Sequence, residues 1–124
     1  MKVDISLGEL VDKVSILAIK IEKIKDPEKL HNVVKEYKLL HKSMLSAEIS
    51  DKAGEYVDLF NINKKLWEIE DLIRAKEAAK QFDTQFVELA RSVYFTNDER
   101  AAIKRKINIR YGSELMEEKE YSGY

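Results

Sequence analysis

The chain of 124 residues carries 22 lysines and arginines against 23 acidic residues, giving a net charge of −1, and it contains no cysteine. Balanced charge excludes a general attraction to nucleic acids or anionic membranes, and the lack of cysteine excludes disulfides and thiolate metal sites. The low content of turn residues, four glycines and one proline, predicts one helical domain over residues 1–124. Met1–Asp4 lacks an apolar signal core, and no apolar run approaches ~20 residues, so we expect a cytoplasmic protein that does not enter a membrane.

Every periodic segment repeats with the spacing of a helix, which predicts an all-α, up-and-down bundle of four to five helices. Ser6 and Glu9 form a capping box, so the first helix should begin near Leu7 and run to about Lys25. Asp26-Pro27 then stops this helix and starts the second one. The bundle is therefore expected to begin with a long antiparallel helical hairpin.

The first helix has apolar residues on two sides. Ile16 and Ile19 lie off its main stripe, which consists of Leu7, Leu10, Val14, Leu17, Ile21 and Ile24. Two explanations are open. Either the helix is central in the bundle, or its second side meets another copy of the protein, which would be a homodimer through Ile16 and Ile19.

The third helix holds the only tryptophan and should end near Lys80. On one shoulder of its apolar stripe lie Asn63, Trp67, Glu70 and Arg74, spaced by four, three and four residues. This spacing aligns them along the boundary of the core, where polar groups need partners. We therefore treat this row as part of a candidate site.

Two further helices are expected before a loosely ordered tail over residues 113–124. Asp83 or Thr84 caps a short fourth helix, and a second capping box, Thr96 with Glu99, opens a fifth that runs to about Tyr111. Gly112 is a natural stop. The tail is expected to hold no more than one further helical turn.

Arg100 points toward the core at the start of that fifth helix, and an inward arginine requires a carboxylate. We therefore predict that it pairs with Glu70. The complete candidate site consists of Asn63, Trp67, Glu70, Arg74, Arg91, Tyr94 and Arg100. Three arginines for one well-placed acid favour a small anionic ligand, a carboxylate or a phosphate. The alternative is a structural network that fixes helix register, with the function in an unknown protein partner.

Four motifs extend over nearly the whole chain: GELVDK from Gly8, LWEIED from Leu66, ARSVY from Ala90 and NDERA from Asn97. They resemble an uncharacterised family of short bacterial and phage proteins. The resemblance implies a free-standing helical protein, found in genomes that also carry sugar or surface-polysaccharide functions, and no established activity. The positions that it marks are Glu70, Asp71, Arg91, Tyr94, Asn97, Asp98 and Arg100.

Two other chemistries have weaker support. Glu9-x-x-Asp12 and Glu68-x-x-Asp71 look like the magnesium pattern of all-α nucleotide pyrophosphohydrolases, but Glu9, Asp12 and Glu68 are expected to project away from the core stripes. The basic run Lys104-Arg105-Lys106 comes without a nucleic-acid recognition motif.

The sequence therefore predicts a non-catalytic helical binding or assembly module without catalytic residues, metal or other cofactor, and without a nucleic-acid partner. The alternative is an accessory enzyme of carbohydrate or nucleotide metabolism.

Overall fold

The computed structural model describes residues 1–123 and contains four helices: α1 (Leu7–Lys23), α2 (Pro27–Ser46), α3 (Gly54–Ala78) and α4 (Thr84–Arg110). The described residues include no strand, which confirms the predicted all-α bundle. Within this part of the chain, none of the helices combines the length and the apolar character that crossing a membrane requires.

The predicted starts of the first two helices are confirmed by their caps. The side chain of Ser6 accepts a hydrogen bond from the backbone N–H of Glu9 at 3.1 Å, and Asp26 accepts one from the N–H of Glu28 at 2.9 Å. Pro27 is the first residue of α2. α1 packs against α2 as the expected hairpin, and Met44 of α2 joins the core cluster that also contains Tyr56 and Leu59 of α3.

α4 is one continuous helix, so the predicted break before Thr96 is wrong. Thr96 is buried within the helix and does not cap a new one. Threonine and glutamate are tolerated inside helices, and no glycine or proline interrupts residues 84–110, so packing along α3 carries the helix through this point. The predicted end is confirmed at Gly112, whose φ of 65° is left-handed.

α1 occupies the centre of the bundle because it contacts all three other helices, and α3 packs against α4. Gly8 permits the close approach of α4: its N–H donates to Oδ1 of Asn108 at 2.6 Å, and a Cβ there would collide with the carbonyl oxygen of Lys104. The main core cluster consists of Leu10, Val11, Val14, Met44, Ile49, Tyr56, Leu59 and Ile107.

The second apolar side of α1 is covered within the chain. Ile19 is buried, and Ile16 is partly buried. Of the two explanations for this side, the central position is therefore observed. A homodimer through the same residues stays a prediction.

The tail from Ser113 to Gly123 has no helical turn and returns along α4. Glu117 lies 2.7 Å from Nζ of Lys104, and Glu118 lies 3.0 Å from Nη1 of Arg105. Tyr124, the last residue of the predicted tail, is outside the described residues.

Candidate binding cleft

A cleft of about 520 Å³ lies between α1, α3 and α4. Five of the seven candidate residues line it: Asn63, Trp67, Glu70, Arg74 and Arg100. Its apolar wall consists of Ile16, Ile19, Leu66 and Val93, and its other polar lining residues are Asp71 and Asn97. Residues from three helices thus converge on one concave surface.

A buried carboxylate on α1 organises the polar side of this cleft. Asp12 is fully buried and accepts two hydrogen bonds from Arg100, one from Nε to Oδ1 at 2.9 Å and one from Nη2 to Oδ2. Nδ2 of Asn63 donates to Oδ1 of Asp12 at 2.9 Å and to Oγ of Ser15 at 2.8 Å. Oγ of Ser15 in turn donates to the carbonyl oxygen of Asp12 at 2.7 Å.

The predicted pairing of Arg100 with Glu70 is therefore wrong. Arg100 does require a carboxylate, but the carboxylate comes from α1 and not from α3. The expectation that Asp12 projects away from the core is wrong as well, because the second side of α1 is buried too. A signal for this was present: Gly8, Asp12, Ser15 and Ile19 are spaced by four, three and four residues and share one side of the helix. An acid within such a buried row needs a cation.

The bidentate pair fixes the Arg100 guanidinium. The hydrogen bond with Asp12 raises the pKa of Arg100 further above its ordinary value, so the group carries its charge at every physiological pH. Taking a carboxylate out of water is costly unless a cation and further hydrogen bonds satisfy it, and here Arg100 and Asn63 do so together. Removing either partner would therefore affect the stability of the whole site.

One donor group and one acceptor of this network have no hydrogen-bond partner among residues 1–123. The side chain of Arg100 is 28% exposed, and its Nη1 makes no hydrogen bond to residues 1–123. Oδ1 of Asn63 also accepts no hydrogen bond from these residues. Every buried side-chain oxygen and nitrogen among them has a hydrogen-bond partner, so an atom without one is not buried. Oδ1 of Asn63 therefore reaches solvent, and Asn63 lines the cleft.

The rim of the cleft is looser. Nε of Arg74 lies 3.3 Å from Oε2 of Glu70 one turn away, and the two side chains are 80% and 51% exposed. Such a pair is worth a few tenths of a kcal/mol. The exposed carboxylate of Asp71 forms no ion pair or hydrogen bond with residues 1–123.

The expected excess of positive charge is not found in the cleft. Arg74 and Arg100 are opposed by three carboxylates, namely Asp12 at the floor and Glu70 and Asp71 at the rim. Arg91 lies elsewhere, with its guanidinium carbon 5.8 Å from the centre of the Phe95 ring. Helical spacing placed Arg91 on α4 but could not show which surface of α4 faces α3.

Tyr94 also lies outside this cleft. It packs against Phe95 with ring centres 4.8 Å apart and lines a separate cleft of about 650 Å³ together with the tail residues Lys119 and Tyr121. Arg100 lines both clefts. Arg91 and Tyr94 are therefore not brought together with the other five candidate residues in one cavity.

A second ionic cluster lies one turn further along α4. Nζ of Lys104 is 2.7 Å from Glu9 and 2.7 Å from Glu117. Burial acts to lower the pKa of Lys104, but the hydrogen bonds with Glu117 and Glu9 raise it overall. The same bond with Lys104 is the main reason why the pKa of Glu117 is lowered.

The acid pair Glu9-x-x-Asp12 is thus engaged by Lys104 and Arg100 and is not arranged around a metal position. Among residues 1–123, no group of three histidine, cysteine, aspartate or glutamate side chains is placed to hold a metal ion. The geometry therefore gives no support to the magnesium pattern.

The model of a family of unknown function (DUF6165) matches residues 1–124. No curated protein and no solved structure matches the chain. The full-length match agrees with the resemblance to an uncharacterised family.

Proposed function

We propose that this chain, which belongs to a family of unknown function (DUF6165), is a non-catalytic binding module for a small ligand in the cleft between α1, α3 and α4. The observation that carries the proposal is the buried Asp12, which holds Arg100 and Asn63 in place from two other helices. Side chains fixed before the ligand arrives lose little conformational entropy on binding.

A purely structural network would use up its own hydrogen-bonding groups. Here Nη1 of Arg100 has no hydrogen-bond partner among residues 1–123, and Oδ1 of Asn63 reaches solvent. The volume of about 520 Å³ lies within the roughly 300–1,000 Å³ that is usual for small-ligand sites. An apolar wall with a few fixed polar groups is also the usual composition of such sites.

Binding without catalysis is the better-supported function because the buried acid is already committed. Oδ1 of Asp12 accepts hydrogen bonds from Asn63 and Arg100, and Oδ2 accepts one from Arg100. The carboxylate of Glu9 pairs with Lys104. A general acid or base must reach the substrate to exchange a proton with it, whereas the Asp12 carboxylate is fully buried and hydrogen-bonded to Arg100 and Asn63. The geometry thus favours recognition over proton transfer.

The test is a fragment screen by NMR that follows the indole N–H of Trp67, which is the single tryptophan signal. Asn97→Phe fills the cleft, and Asn61→Phe adds the same bulk at an exposed position of α3 outside it. Fragments should shift the indole signal in the wild type and in Asn61→Phe, and should lose this effect in Asn97→Phe. Equal binding to all three proteins, or no binder at all, would contradict the proposal and leave a protein partner as the function.

A further inference from the structure

We infer that the ligand of this cleft is an uncharged, polyhydroxylated ring, that is, a sugar unit. The inference rests on the proposed function, because it names the chemical class that the same cleft would bind. Three features of the cleft support a sugar: its charge, the mixture of its hydrogen-bond donors and acceptors, and its apolar wall.

The charge of the cleft disfavours an anion. The Arg100 guanidinium is neutralised by Asp12, and the Arg74 guanidinium lies beside Glu70. The carboxylate of Asp71, which also lines the cleft, has no cationic partner among residues 1–123. A phosphate or carboxylate ligand would approach a surface whose positive groups are already balanced and whose remaining charge is negative.

A simple cation is disfavoured because Arg100 offers it only hydrogen-bond donors. Arg100 lines the cleft, and its guanidinium group can only donate hydrogen bonds. An ammonium group also only donates, so it cannot bond to Arg100. A ligand that uses both Arg100 and Asn63 must therefore accept at one position and donate at another.

Hydroxyl groups meet this requirement. Each hydroxyl donates one hydrogen bond and accepts others, so the hydroxyls of one ring can accept from Arg100 and donate to Asn63. Asp71 and Asn97 add an acceptor and a further amide at the rim. Planar carboxylate, amide and guanidinium groups can each engage two neighbouring hydroxyls.

The apolar wall complements the other surface of a sugar ring. Trp67 and Leu66 of α3 line the cleft together with Ile16 of α1 and Val93 of α4. A pyranose has C–H groups on its faces and hydroxyls around its edge, so it presents an apolar face and a polar rim at the same time. A site that combines a large aromatic side chain with fixed polar groups matches both.

The test is a titration of wild-type protein followed by the fluorescence of Trp67, which is the only tryptophan. Glucose, galactose and N-acetylglucosamine are the uncharged probes, glucuronate and glucose phosphate the anionic ones, and glucosamine the cationic one. We expect at least one uncharged probe to bind ~10-fold or more tightly than its charged counterparts, which corresponds to ~1.4 kcal/mol. We also expect its affinity to change little with salt concentration, because no net charge is involved.

Two matched variants locate the binding. Asp71→Ala removes a carboxylate from the cleft, and Glu68→Ala removes one from the exposed surface of the same helix. The uncharged probe should bind roughly tenfold more weakly to Asp71→Ala, since a hydrogen bond to a charged acceptor is lost, and normally to Glu68→Ala.

Each other outcome overturns the inference in a recognisable way. Preference for an anionic or a cationic probe would reject the sugar class and leave the binding function standing. No response to any sugar would reject the class as well, and the fragment screen then decides whether the cleft binds small molecules at all. Equal weakening in Asp71→Ala and Glu68→Ala would place the binding outside the cleft.

Discussion

Asp12 is a single acidic residue on which the positions of two other side chains depend. It is buried on α1, while Arg100 and Asn63 reach it from α4 and α3. A buried charge pair of this kind is tolerated because both members are hydrogen-bonded. Removing one member strongly destabilises the fold, because the other charge is then buried without a partner. The cleft therefore has a rigid floor and a loose rim.

Replacing Asp12 should accordingly be costly. Asp12→Ala leaves the Arg100 charge without its partner and should lower the free energy of unfolding by about 3–5 kcal/mol in urea denaturation. Glu70→Ala, which removes half of an exposed pair, should lower it by no more than about 0.5 kcal/mol. Similar small losses in the two variants would show that Asp12 does not hold the site.

At this scale the sequence predicts which residues are near the cleft better than it predicts their partners. The spacing of Asn63, Trp67, Glu70 and Arg74 places them along one side of α3, and all four line the cleft. The same reasoning assigned the wrong carboxylate to Arg100, because the phase of one helix shows that a side chain points inward but not which helix it meets. That information depends on how the four helices pack.

At the scale of elements, Gly8 allows α1 and α4 to approach each other closely. Gly8→Ala should push the two helices apart, because the new Cβ would meet the carbonyl oxygen of Lys104 and Oδ1 of Asn108. We expect a loss of about 1–3 kcal/mol in the free energy of unfolding. Gly54→Ala is the control, since nothing lies within 4 Å of a Cβ there, and it should be neutral or slightly stabilising. Equal effects of both changes would contradict the close approach.

The tail is an element whose attachment should depend on pH. Lys104 holds the pKa of Glu117 below its usual value of 4.5, so the interaction contributes stability above that pH and loses it as the pH falls through the lowered pKa. Amide signals of residues 113–123 should therefore shift toward unstructured values as the pH drops below about 4.5.

In Glu117→Gln the same signals should be shifted already at neutral pH, whereas Glu120→Gln, at an exposed position, should behave like the wild type. A tail that stays in place in Glu117→Gln would show that Glu118 and Arg105 suffice to hold it.

The presence of the helices could largely be predicted from the sequence, but the boundaries between them were less predictable. Ser6, Asp26 and Gly112 act locally, through hydrogen bonds or a backbone angle, so their positions could be predicted from the residues alone. Thr96 with Glu99 has the same local pattern as a cap, but packing of α4 against α3 keeps the helix continuous. Local chemistry specifies where a helix can start, and tertiary contacts decide whether it does.

For the whole molecule, the homodimer prediction and the cleft compete for the same residues. Ile16 and Ile19 line the cleft, so a second copy seated there would close it. If the dimer exists, light scattering should give twice the mass of one chain for the wild type and the mass of one chain for Ile16→Glu. A single-chain mass for the wild type at high concentration would exclude the dimer. Ile16 and Ile19 would then serve only as lining residues of the cleft.

The most direct test of ligand binding in the cleft is a map of amide chemical shifts across the whole protein while the tightest-binding uncharged sugar is added. We expect the shifted amides to cluster on α1, α3 and α4 around Ile16, Asn63, Trp67, Asn97 and Arg100. The amides of α2, which does not line the cleft, should stay unchanged. Shifts centred on α2 or on the tail, or no shifts with any ligand, would contradict the claim that this cleft is a binding site.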